Sequence, residues 1–297
     1  MVGGRPEWLK VKMPGGERYA RIKQRARQLK LHTVCEEAQC PNVGECWSGG
    51  TATFMVLGDT CTRGCRFCAV NTARNPSPPD QAEPANLADA IAEMGLDYVV
   101  VTSVNRDDLL DQGAGHFRAC IQASRERSPS TLVEVLIPDF RGRTDLLDSL
   151  LEARPDVLAH NVETVPRLQV PVRDPRANWE QSTTILQHAK ARGFLTKTSL
   201  QVGHGETEAE MLVAMRQLRA IDVDFLTIGQ YLRPTPAHLA VQEYVHPDTF
   251  TRYAEAGREM GFGFVASGPL VRSSYKAGEY FIRDFLRGRA APPRAEA

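Results

Sequence analysis

The chain has 297 residues, of which 42% are hydrophobic, and its 36 basic and 36 acidic side chains balance to a formal net charge of zero. This balance leaves no global field toward nucleic acid or a membrane surface, so neither is predicted as a partner. No run of residues approaches the roughly 18 apolar residues of a membrane span, and the N-terminus lacks the apolar region of a secretory signal. A cytoplasmic protein is therefore expected. In a reducing compartment, cysteines serve metal binding or catalysis more often than disulfides.

The first 30 residues carry a local excess of positive charge. They contain nine lysines or arginines and two glutamates, a net charge of +7. Two interpretations stay open for this segment: a solvated helix face, or a surface that docks an acidic protein partner.

Six of the seven cysteines form two triplets, which are Cys35, Cys40 and Cys46, and Cys61, Cys65 and Cys68. A four-iron cluster needs one ligand on each iron, usually four thiolates, so three cysteines leave one iron for a substrate, a cofactor or another residue. A structural zinc site is normally closed by four ligands. Two 4Fe-4S clusters, each with an open corner, are therefore predicted. Cys120 has no such neighbours in the sequence and is expected to be a small buried hydrophobic residue.

After the cysteines, a proline-rich connection covers residues 71–84, because proline cannot donate a backbone hydrogen bond. Short apolar and β-branched runs then predict strands at 98–102, 132–137, 157–159, 196–202 and 225–228, with an earlier strand at 53–57 and a late candidate at 264–266. Predicted helices are 87–94 (capped by Asn86 and ended by Gly95), 179–192 (ended by Gly193), a segment from the Thr207 and Glu210 capping box to 221, and one after Pro247. This alternation predicts an α/β fold, specifically a partial (βα)6-type TIM barrel.

Chemistry in a βα barrel lies at the carboxyl ends of the strands. Polar residues gather at these positions: Thr102, Ser103, Asn105, His160, Asn161, Glu163, His204, Glu206, Gln230 and Tyr231. Glu134 and Lys197 differ from these because they lie inside apolar strands, where an unpaired charge is costly. Either a structural pairing or contact with a ligand accounts for them.

The second triplet, in GDTCTRGCRFC directly after the first predicted strand, resembles the radical S-adenosylmethionine superfamily. In that superfamily the unligated iron binds the amino and carboxylate groups of S-adenosylmethionine, and an electron from the cluster releases a 5′-deoxyadenosyl radical. A zinc site or an electron-transfer cluster is the alternative. The glycine turn of LQVGHGET (residues 200–207) looks like the adenine-side motif of the same superfamily.

The first triplet narrows the resemblance to the lipoyl synthase family. CEEAQCPNVGEC followed by tryptophan is similar to that family, as are VVVTSVNRDDL, EVLIPDFRG, AHNVETVPRL, LTIGQYLRPT and ASGPLVRSSY, in the order of the family and across residues 35–277. The resemblance implies insertion of two sulfur atoms at C6 and C8 of an octanoyl chain linked to a lysine of a carrier domain. Two molecules of S-adenosylmethionine are then needed for each product.

The resemblance also implies roles for individual residues. Cys61, Cys65 and Cys68 hold the cluster that cleaves S-adenosylmethionine, and Cys35, Cys40 and Cys46 hold an auxiliary cluster that supplies sulfur. The fourth auxiliary ligand is a serine of the RSSY motif, with Ser274 favoured and Ser273 as the alternative. Asn161, Glu163 and Lys197 match family blocks near the S-adenosylmethionine pocket. Arg173 is a candidate for a carboxylate, and a surface salt bridge explains it equally well.

The same resemblance suggests partners and boundaries. Expected partners are octanoylated lipoyl carrier domains (2-oxoacid dehydrogenase E2 or glycine cleavage H protein) and an electron donor such as ferredoxin or flavodoxin. Residues 1–50 are expected to form an N-terminal extension with the auxiliary-cluster cysteines, 51–286 the partial barrel with the RSSY segment, and 287–297 a disordered tail.

Three departures from the family pattern concern contacts around the radical. His204 lies between two glycines where a small apolar residue is usual, and Asn105 stands in place of an aspartate. In the run 167–173, the RL of VPRL is not followed by the usual tyrosine and basic residues. Two other functions stay open at this point. One is a radical enzyme whose auxiliary cluster keeps its sulfur, and the other is a protein that only holds iron–sulfur clusters or zinc.

Overall fold

The structure is a computed structural model that describes residues 6–10, 15, 17–29, 31–37, 40, 42–48 and 51–274. The tail predicted for 287–297 lies outside these residues. The strands are β1 (His32–Thr33), β2 (Thr51–Val56), β3 (Thr60–Cys61), β4 (Asn71–Thr72), β5 (Tyr98–Ser103), β6 (Leu132–Leu136), β7 (Val157–Ala159), β8 (Leu195–Val202), β9 (Phe225–Gln230) and β10 (Phe264–Gly268).

The α-helices are α1 (Glu17–Gln28), α2 (Val34–Glu37), α3 (Val43–Ser48), α4 (Glu83–Met94), α5 (Ala114–Arg127), α6 (Thr144–Leu151), α7 (Gln169–Val172), α8 (Trp179–Ala191), α9 (Glu208–Ala220) and α10 (Pro247–Glu259). Short 3-10 turns lie at Glu7–Leu9, Phe140–Gly142 and Pro166–Leu168. Within the described ranges, no helix has the length and apolar character needed to cross a membrane.

The main sheet has the strand order β1-β2-β5-β6-β7-β8-β9-β10. All pairs are parallel except β1 with β2. Helical segments connect the successive parallel strands, so their carboxyl ends meet at one edge. In the part of the chain that is described, β1 and β10 do not pair with each other, and the barrel stays open. The predicted partial α/β barrel is therefore confirmed, with the late strand candidate as its seventh parallel strand.

The helix predicted at 87–94 is longer than the sequence suggested. Helix α4 begins at Glu83, and Pro84 occupies its first turn. The Asn86 cap was wrong, because proline is tolerated in the first turn, where its missing N–H has no helical partner. Asn86 instead lies inside the helix and donates to the carbonyl of Leu29. Gly95 ends the helix in the left-handed conformation, as predicted.

The inside of the barrel is filled at its amino end. Tyr98, Val100, Val157, Leu195 and Phe225, all in the first three residues of their strands, form a buried cluster. This packing closes one end of the barrel and leaves the carboxyl edge of the sheet as the place where a site can form.

The N-terminal segment shares the core of the barrel. Ile22, Ala26 and Trp47 are fully buried in the cluster that also contains β2, α4 and α5. The amide Nδ2 of Asn42 donates to the carbonyl of Leu270, 2.6 Å away and two residues beyond β10. The N-terminal segment therefore bridges the opening between the two edge strands.

Part of the N-terminal positive charge is neutralised within the fold. Lys23 and Arg27 each lie 3.7 Å from the carboxylate of Glu36, and Arg25 pairs with Glu93 of α4. These pairings favour an ordinary helix face over a free basic surface for α1.

Candidate functional site

The second cysteine triplet lies at the carboxyl edge of the sheet. Cys61 ends β3, just after β2, and Cys65 and Cys68 follow in the loop that leads to β4. The backbone N–H of Asn105 donates to the sulfur of Cys61, and that of Asp174 donates to the sulfur of Cys65, each at 3.3 Å. Hydrogen bonds to the cysteine sulfurs are one of the features that set the reduction potential of an iron–sulfur cluster.

The loop that carries these cysteines is held by a buried charge network. Arg63, whose side chain is 2% exposed, donates to both oxygens of Asp107 (2.8 and 2.9 Å) and to Asp139 (2.8 Å). The N–H of Gly64 donates to Asp174 at 2.9 Å, and Arg176 donates to the same carboxylate. The loops after β5, β6 and β7 therefore fix the residues between Cys61 and Cys65 from three sides.

Burial sets the protonation of the free thiols. It raises the pKa of Cys65 to about 11 and that of Cys68 to about 12, and the charges of the neighbouring cysteines and of Glu163 act in the same direction. The mutual influence of the sulfurs shows that the triplet is gathered at one place. Because the thiolate is the metal ligand, metal binding here must release protons.

Asn161, Glu163 and Arg173 lie beside the second triplet, in the segment after β7. Glu163 influences the pKa of both Cys65 and Cys68 and has a left-handed φ of 67°. Burial raises the pKa of Glu163, whereas the charge of Arg173 and hydrogen bonds from Gln201 and Asn161 lower it. The structure thus brings together two of the three residues that the sequence predicted for the cofactor, Asn161 and Glu163.

Arg173 is a buried cation without a close carboxylate. It is 6% exposed, and Nη1 donates to Gln169 and Ser182 at 2.9 Å, but Nε has no hydrogen-bond partner. Among the described residues, no carboxylate lies within 4.0 Å of its guanidinium. The surface salt bridge considered from the sequence is therefore wrong, and the side chain is free to bind an anionic ligand.

Lys197 lies elsewhere. Its ammonium donates to both oxygens of Glu134 at 2.9 Å, and the hydroxyl of Tyr98 donates to the same carboxylate at 2.6 Å. Both side chains of the ion pair are at most 2% exposed. The structural pairing considered from the sequence accounts for Glu134 and Lys197. The ammonium group of Lys197 is engaged by Glu134 rather than directed at a cofactor.

The glycine turn after β8 packs against the cluster loop. The ring of His204 stacks on Tyr231 with centroids 4.4 Å apart and meets the edge of Phe67, which lies between Cys65 and Cys68, at 6.3 Å. Burial lowers the pKa of His204 to about 4, so the ring is neutral at pH 7. Gly203 has a φ of +101°, and the Gln230 amide occupies the space that a side chain would need.

The first triplet is formed by short elements of the N-terminal segment. Cys35 lies in α2, Cys46 lies in α3, and the N–H of Cys40 donates to the carbonyl of Cys35 at 3.0 Å. Burial raises the pKa of Cys40, and a backbone hydrogen bond and the charge of Arg272 oppose this shift. Arg272, the first residue of the RSSY motif, is therefore close enough to act on Cys40.

The sulfur spacing argues against a single zinc ion at either triplet. Within the described ranges, the one group of three His, Cys, Asp or Glu residues with ligand atoms within 4.8 Å of one another is Glu83, His116 and Cys120. A tetrahedral zinc ion needs such closely spaced ligands. The Glu83 carboxylate already accepts the N–H of Leu57 and contacts Nε2 of His116, so this group is a satisfied structural contact.

Several buried polar atoms along the carboxyl edge lack a hydrogen-bond partner within the described structure: Ser103 Oγ, Asn161 Oδ1, Arg173 Nε, both ring nitrogens of His204 and Ser267 Oγ. Unpaired buried polar atoms are costly, and a ligand that pairs with them recovers that cost. Together with three gathered thiols and backbone N–H donors to sulfur, these atoms fit an iron–sulfur cluster with a polar small molecule beside it.

Sequence reasoning missed the charge network around Arg63. The arginine inside the second triplet and the Asp107 and Asp139 that follow two predicted strands were visible, but their pairing joins residues 44 and 76 positions apart. Acidic residues at strand ends opposite a basic loop residue were the available signal.

Asp107 is expected to stabilise the fold at neutral pH. Burial alone favours its neutral form, but Arg63, Arg141 and Thr62 lower its pKa from 3.8 to about 2. This contribution is present above the unfolded pKa near 3.8 and is lost as the pH falls through about 2. We expect Asp107→Asn to lower the free energy of unfolding at pH 7 by about 2 kcal/mol, measured by urea unfolding.

The difference between Asp107→Asn and the parent should shrink as the pH falls from about 4 to about 2. Asp145→Asn is the matched control, because Asp145 pairs with Arg143 on the surface, where such pairs contribute little. Equal unfolding curves for the parent and Asp107→Asn at pH 7 would contradict the role of the network.

Comparison with known proteins identifies the family. A model described as "Radical SAM superfamily" matches residues 55–218, and one described as "N-terminal domain of lipoyl synthase of Radical_SAM family" matches residues 4–40. The chain is 56% identical to "Lipoyl synthase, chloroplastic" of Ricinus communis, over 98% of this chain and 82% of the relative. The chain belongs to the lipoyl synthase family.

Other relatives agree with this assignment. "Lipoyl synthase, mitochondrial" of Ostreococcus lucimarinus (strain CCE9901) is 58% identical over 99% of this chain and 75% of its own length. "Lipoyl synthase, mitochondrial" of Arabidopsis thaliana is 56% identical over 97% of this chain and 80% of its own length. The family and the class of activity predicted from the sequence, a radical S-adenosylmethionine sulfurtransferase, are confirmed. Membership implies S-adenosylmethionine, a 4Fe-4S cluster and an auxiliary cluster.

Solved structures resemble the fold at low sequence identity. The maturase HydG of the [FeFe]-hydrogenase has a TM-score of 0.58 at 16% identity, over 89% of this chain and 66% of that chain. Methylornithine synthase (PylB) has a TM-score of 0.55 at 13% identity, over 95% of this chain and 91% of that chain. These likenesses support the partial barrel.

The expectation of a cytoplasmic protein was wrong. The relatives named above are chloroplastic or mitochondrial proteins and indicate an organelle. The lack of an apolar run did not indicate the cytosol, because organellar transit peptides are amphipathic and are not marked by such a run. The composition of the chain does not distinguish the cytosol from the interior of an organelle.

Proposed function

We propose that the chain catalyses the lipoyl synthase reaction, the insertion of two sulfur atoms at C6 and C8 of an octanoyl group carried on a lysine. The observation that supports this most directly is the placement of both triplets. The second triplet lies at the carboxyl edge of the sheet, and the first is tied to the segment that leaves the same edge after β10. A sulfur donor close to a radical site is what this reaction requires.

Each triplet holds one cluster in this proposal. Cys61, Cys65 and Cys68 bind the cluster that interacts with S-adenosylmethionine. Cys35, Cys40 and Cys46 bind the auxiliary cluster, with Ser274 as its fourth ligand and Ser273 as the alternative. The influence of Arg272 on Cys40 supports a ligand from this motif, because both serines follow Arg272 directly.

The cofactor pocket is lined by groups that match the charges of S-adenosylmethionine. The Glu163 carboxylate suits its ammonium group, and the Arg173 guanidinium suits its carboxylate. Asn161 offers the unpaired Oδ1 as an acceptor. Lys197 was predicted for this pocket, but its ion pair with Glu134 supports a structural role instead.

When bound, the clusters and S-adenosylmethionine supply a carbon radical and sulfur, because a methylene C–H bond has no acidity that a protein base could use. The residues of the chain bind and orient these groups and exclude water. The buried contacts among Phe67, His204 and Tyr231 lie directly beside the cluster loop and support that exclusion.

The proposed partners follow from the reaction. The octanoyl substrate is carried by a lipoyl carrier domain, either a 2-oxoacid dehydrogenase E2 domain or the glycine cleavage H protein. The cluster at the second triplet requires an electron donor such as ferredoxin or flavodoxin.

An anaerobic assay with two cysteine variants tests the proposal. The protein is reconstituted with iron and sulfide and given dithionite, S-adenosylmethionine and an octanoyl-lysyl peptide, and the peptide is read by mass spectrometry. The parent is expected to give a dithiolated peptide. Cys65→Ala is expected to lose cleavage of S-adenosylmethionine, whereas Cys40→Ala is expected to keep it and form no thiolated peptide.

Other outcomes would select other functions. An auxiliary cluster that stays intact while the parent turns over would indicate a radical enzyme with a different product. No deoxyadenosine from the reconstituted parent would indicate a protein that only holds its clusters. Cys120→Ala is the matched control, because Cys120 lies buried on α5 and belongs to neither triplet, and this variant is expected to behave like the parent.

A further inference from the structure

The outer side of the loop that carries the second triplet is covered by arginines. Arg66, Arg141 and Arg176 are exposed, the last two with 48% and 40% of their side chains accessible. We call these three residues the arginine patch. Gly64, at the outer turn of the cysteine loop, is also exposed and adds no side chain that would shield the backbone.

The arginine patch is continuous with the cysteine loop. Arg176 donates from Nη2 to the carbonyl of Thr62, the residue after Cys61, at 2.7 Å. Arg141 and Arg176 both approach the carboxylate of Asp107, at 2.8 and 3.4 Å. On the other side of the loop, Arg66 donates to the carbonyl of Pro171 at 3.0 Å, in the same segment that leads to Arg176.

The charges of this region are arranged in layers. The carboxylates of Asp107, Asp139 and Asp174 are at most 8% exposed and lie beneath the patch, together with Arg63. Arg63, Arg141 and Arg176 pair with these three aspartates, and the three members of the arginine patch are the exposed charges of this group. In the described structure, Arg66 has only a backbone carbonyl as its hydrogen-bond partner and no carboxylate within ion-pair distance.

We propose that the arginine patch docks an acidic one-electron carrier protein that reduces the cluster at the second triplet. The proposal rests on the proposed function, because only a radical enzyme of this kind needs that electron. One electron leaves the carrier and is gained by the cluster, and no atom is transferred. Electron transfer weakens steeply with distance, and the patch covers the face where the cysteine loop itself reaches the surface.

The expected encounter is weak, fast and dependent on salt. Transient electron-transfer complexes have small interfaces, and complementary charge raises the association rate by 10- to 1,000-fold, an effect that falls with ionic strength. A basic patch above buried carboxylates provides such steering.

The test compares a protein reductant with a chemical one. Arg66→Glu combined with Arg141→Gln removes patch charge without touching a residue proposed to hold a cluster or S-adenosylmethionine. An acidic plant-type 2Fe-2S ferredoxin serves as the probe. We expect its dissociation constant at low salt to rise at least tenfold, and ferredoxin-driven cleavage of S-adenosylmethionine to fall accordingly, while dithionite-driven cleavage stays within about twofold of the parent.

Arg127→Glu is the matched control. Arg127 is 62% exposed and pairs with Asp89 at the last turn of α5, at the end of the barrel away from the carboxyl edge. The Arg127→Glu variant is expected to bind ferredoxin with the same dissociation constant as the parent. The Arg66 side chain donates only to the carbonyl of Pro171. The single variant Arg66→Glu therefore provides the same comparison if the double variant does not fold.

Three results would overturn the proposal. The first is unchanged ferredoxin affinity in the double variant and in Arg66→Glu. The second is an equal loss with dithionite, which would mean that the arginines act on the cluster itself. The third is normal ferredoxin binding with loss of turnover on an octanoylated carrier domain but not on an octanoyl peptide, which would assign the patch to the carrier domain. A parent that binds ferredoxin but never cleaves S-adenosylmethionine would contradict the proposed function instead.

Discussion

Replacing Lys197 by methionine is expected to lower the free energy of unfolding by about 3–5 kcal/mol, the usual cost of breaking a buried ion pair. The substitution leaves the Glu134 carboxylate, 1% exposed, with only the hydroxyl of Tyr98 as a side-chain donor. A charge without a counter-ion in this interior is costly because the surrounding strands carry apolar side chains. Urea unfolding of the parent and the variant at pH 7 measures the effect.

The double variant Glu134→Gln/Lys197→Met separates the pair from any other role of the lysine. Glutamine keeps an acceptor for Tyr98 and carries no charge, so most of the lost stability is expected to return. If Lys197 served the cofactor, the double variant would be stable and still bind S-adenosylmethionine poorly. We expect its affinity to equal that of the parent, in agreement with a purely structural pair.

Replacing Arg173 by methionine is expected to have the opposite pattern. Arg173 has no carboxylate within ion-pair distance among the described residues, so its removal breaks no ion pair. It loses two buried hydrogen bonds, to Gln169 and Ser182, and is expected to cost less stability than the loss of Lys197. If Arg173 binds the carboxylate of S-adenosylmethionine, the loss of a charge-assisted hydrogen bond costs about 1.5–3 kcal/mol. That loss is roughly a 10- to 150-fold rise in the dissociation constant.

Equilibrium binding of S-adenosylmethionine to the reconstituted protein provides the measurement. Arg173→Lys keeps the charge and loses the planar fork, so an intermediate affinity is expected. S-adenosyl ligands that lack the carboxylate offer a second control, since they should bind the parent and Arg173→Met equally. A parent-like affinity of Arg173→Met for S-adenosylmethionine itself would contradict the assignment.

The sequence predicted those features that depend on neighbouring residues. Apolar runs placed the strands to within about two residues, and the Thr207 and Glu210 capping box is present as expected. The cysteine spacings indicated the two clusters before any fold was known. These features are local, so the residues that determine them lie close together in the chain.

The features that failed or were missed depend on contacts between distant parts of the chain. Nothing near Lys197 indicates that Glu134, two strands away in the sheet, neutralises it. The same holds for Arg63 and its aspartates, whose partnership exists only after three loops converge. The prediction that Asn86 caps a helix failed for a local reason. Pro84 was taken to end a loop, whereas it lies in the first turn of helix α4.

The hydrogen bond between Asn42 and Leu270 has a thermodynamic consequence for the auxiliary site proposed at the first triplet. The first triplet and the segment after β10 meet across the opening between β1 and β10, so metal affinity at this site includes the free energy of holding that junction closed. By linkage, loading the site stabilises the closed junction, and loss of the metal weakens it. A protein that gives up sulfur from this cluster would therefore weaken the junction between the first triplet and the segment after β10 with each product. The weakened junction would make the site more accessible to a new cluster.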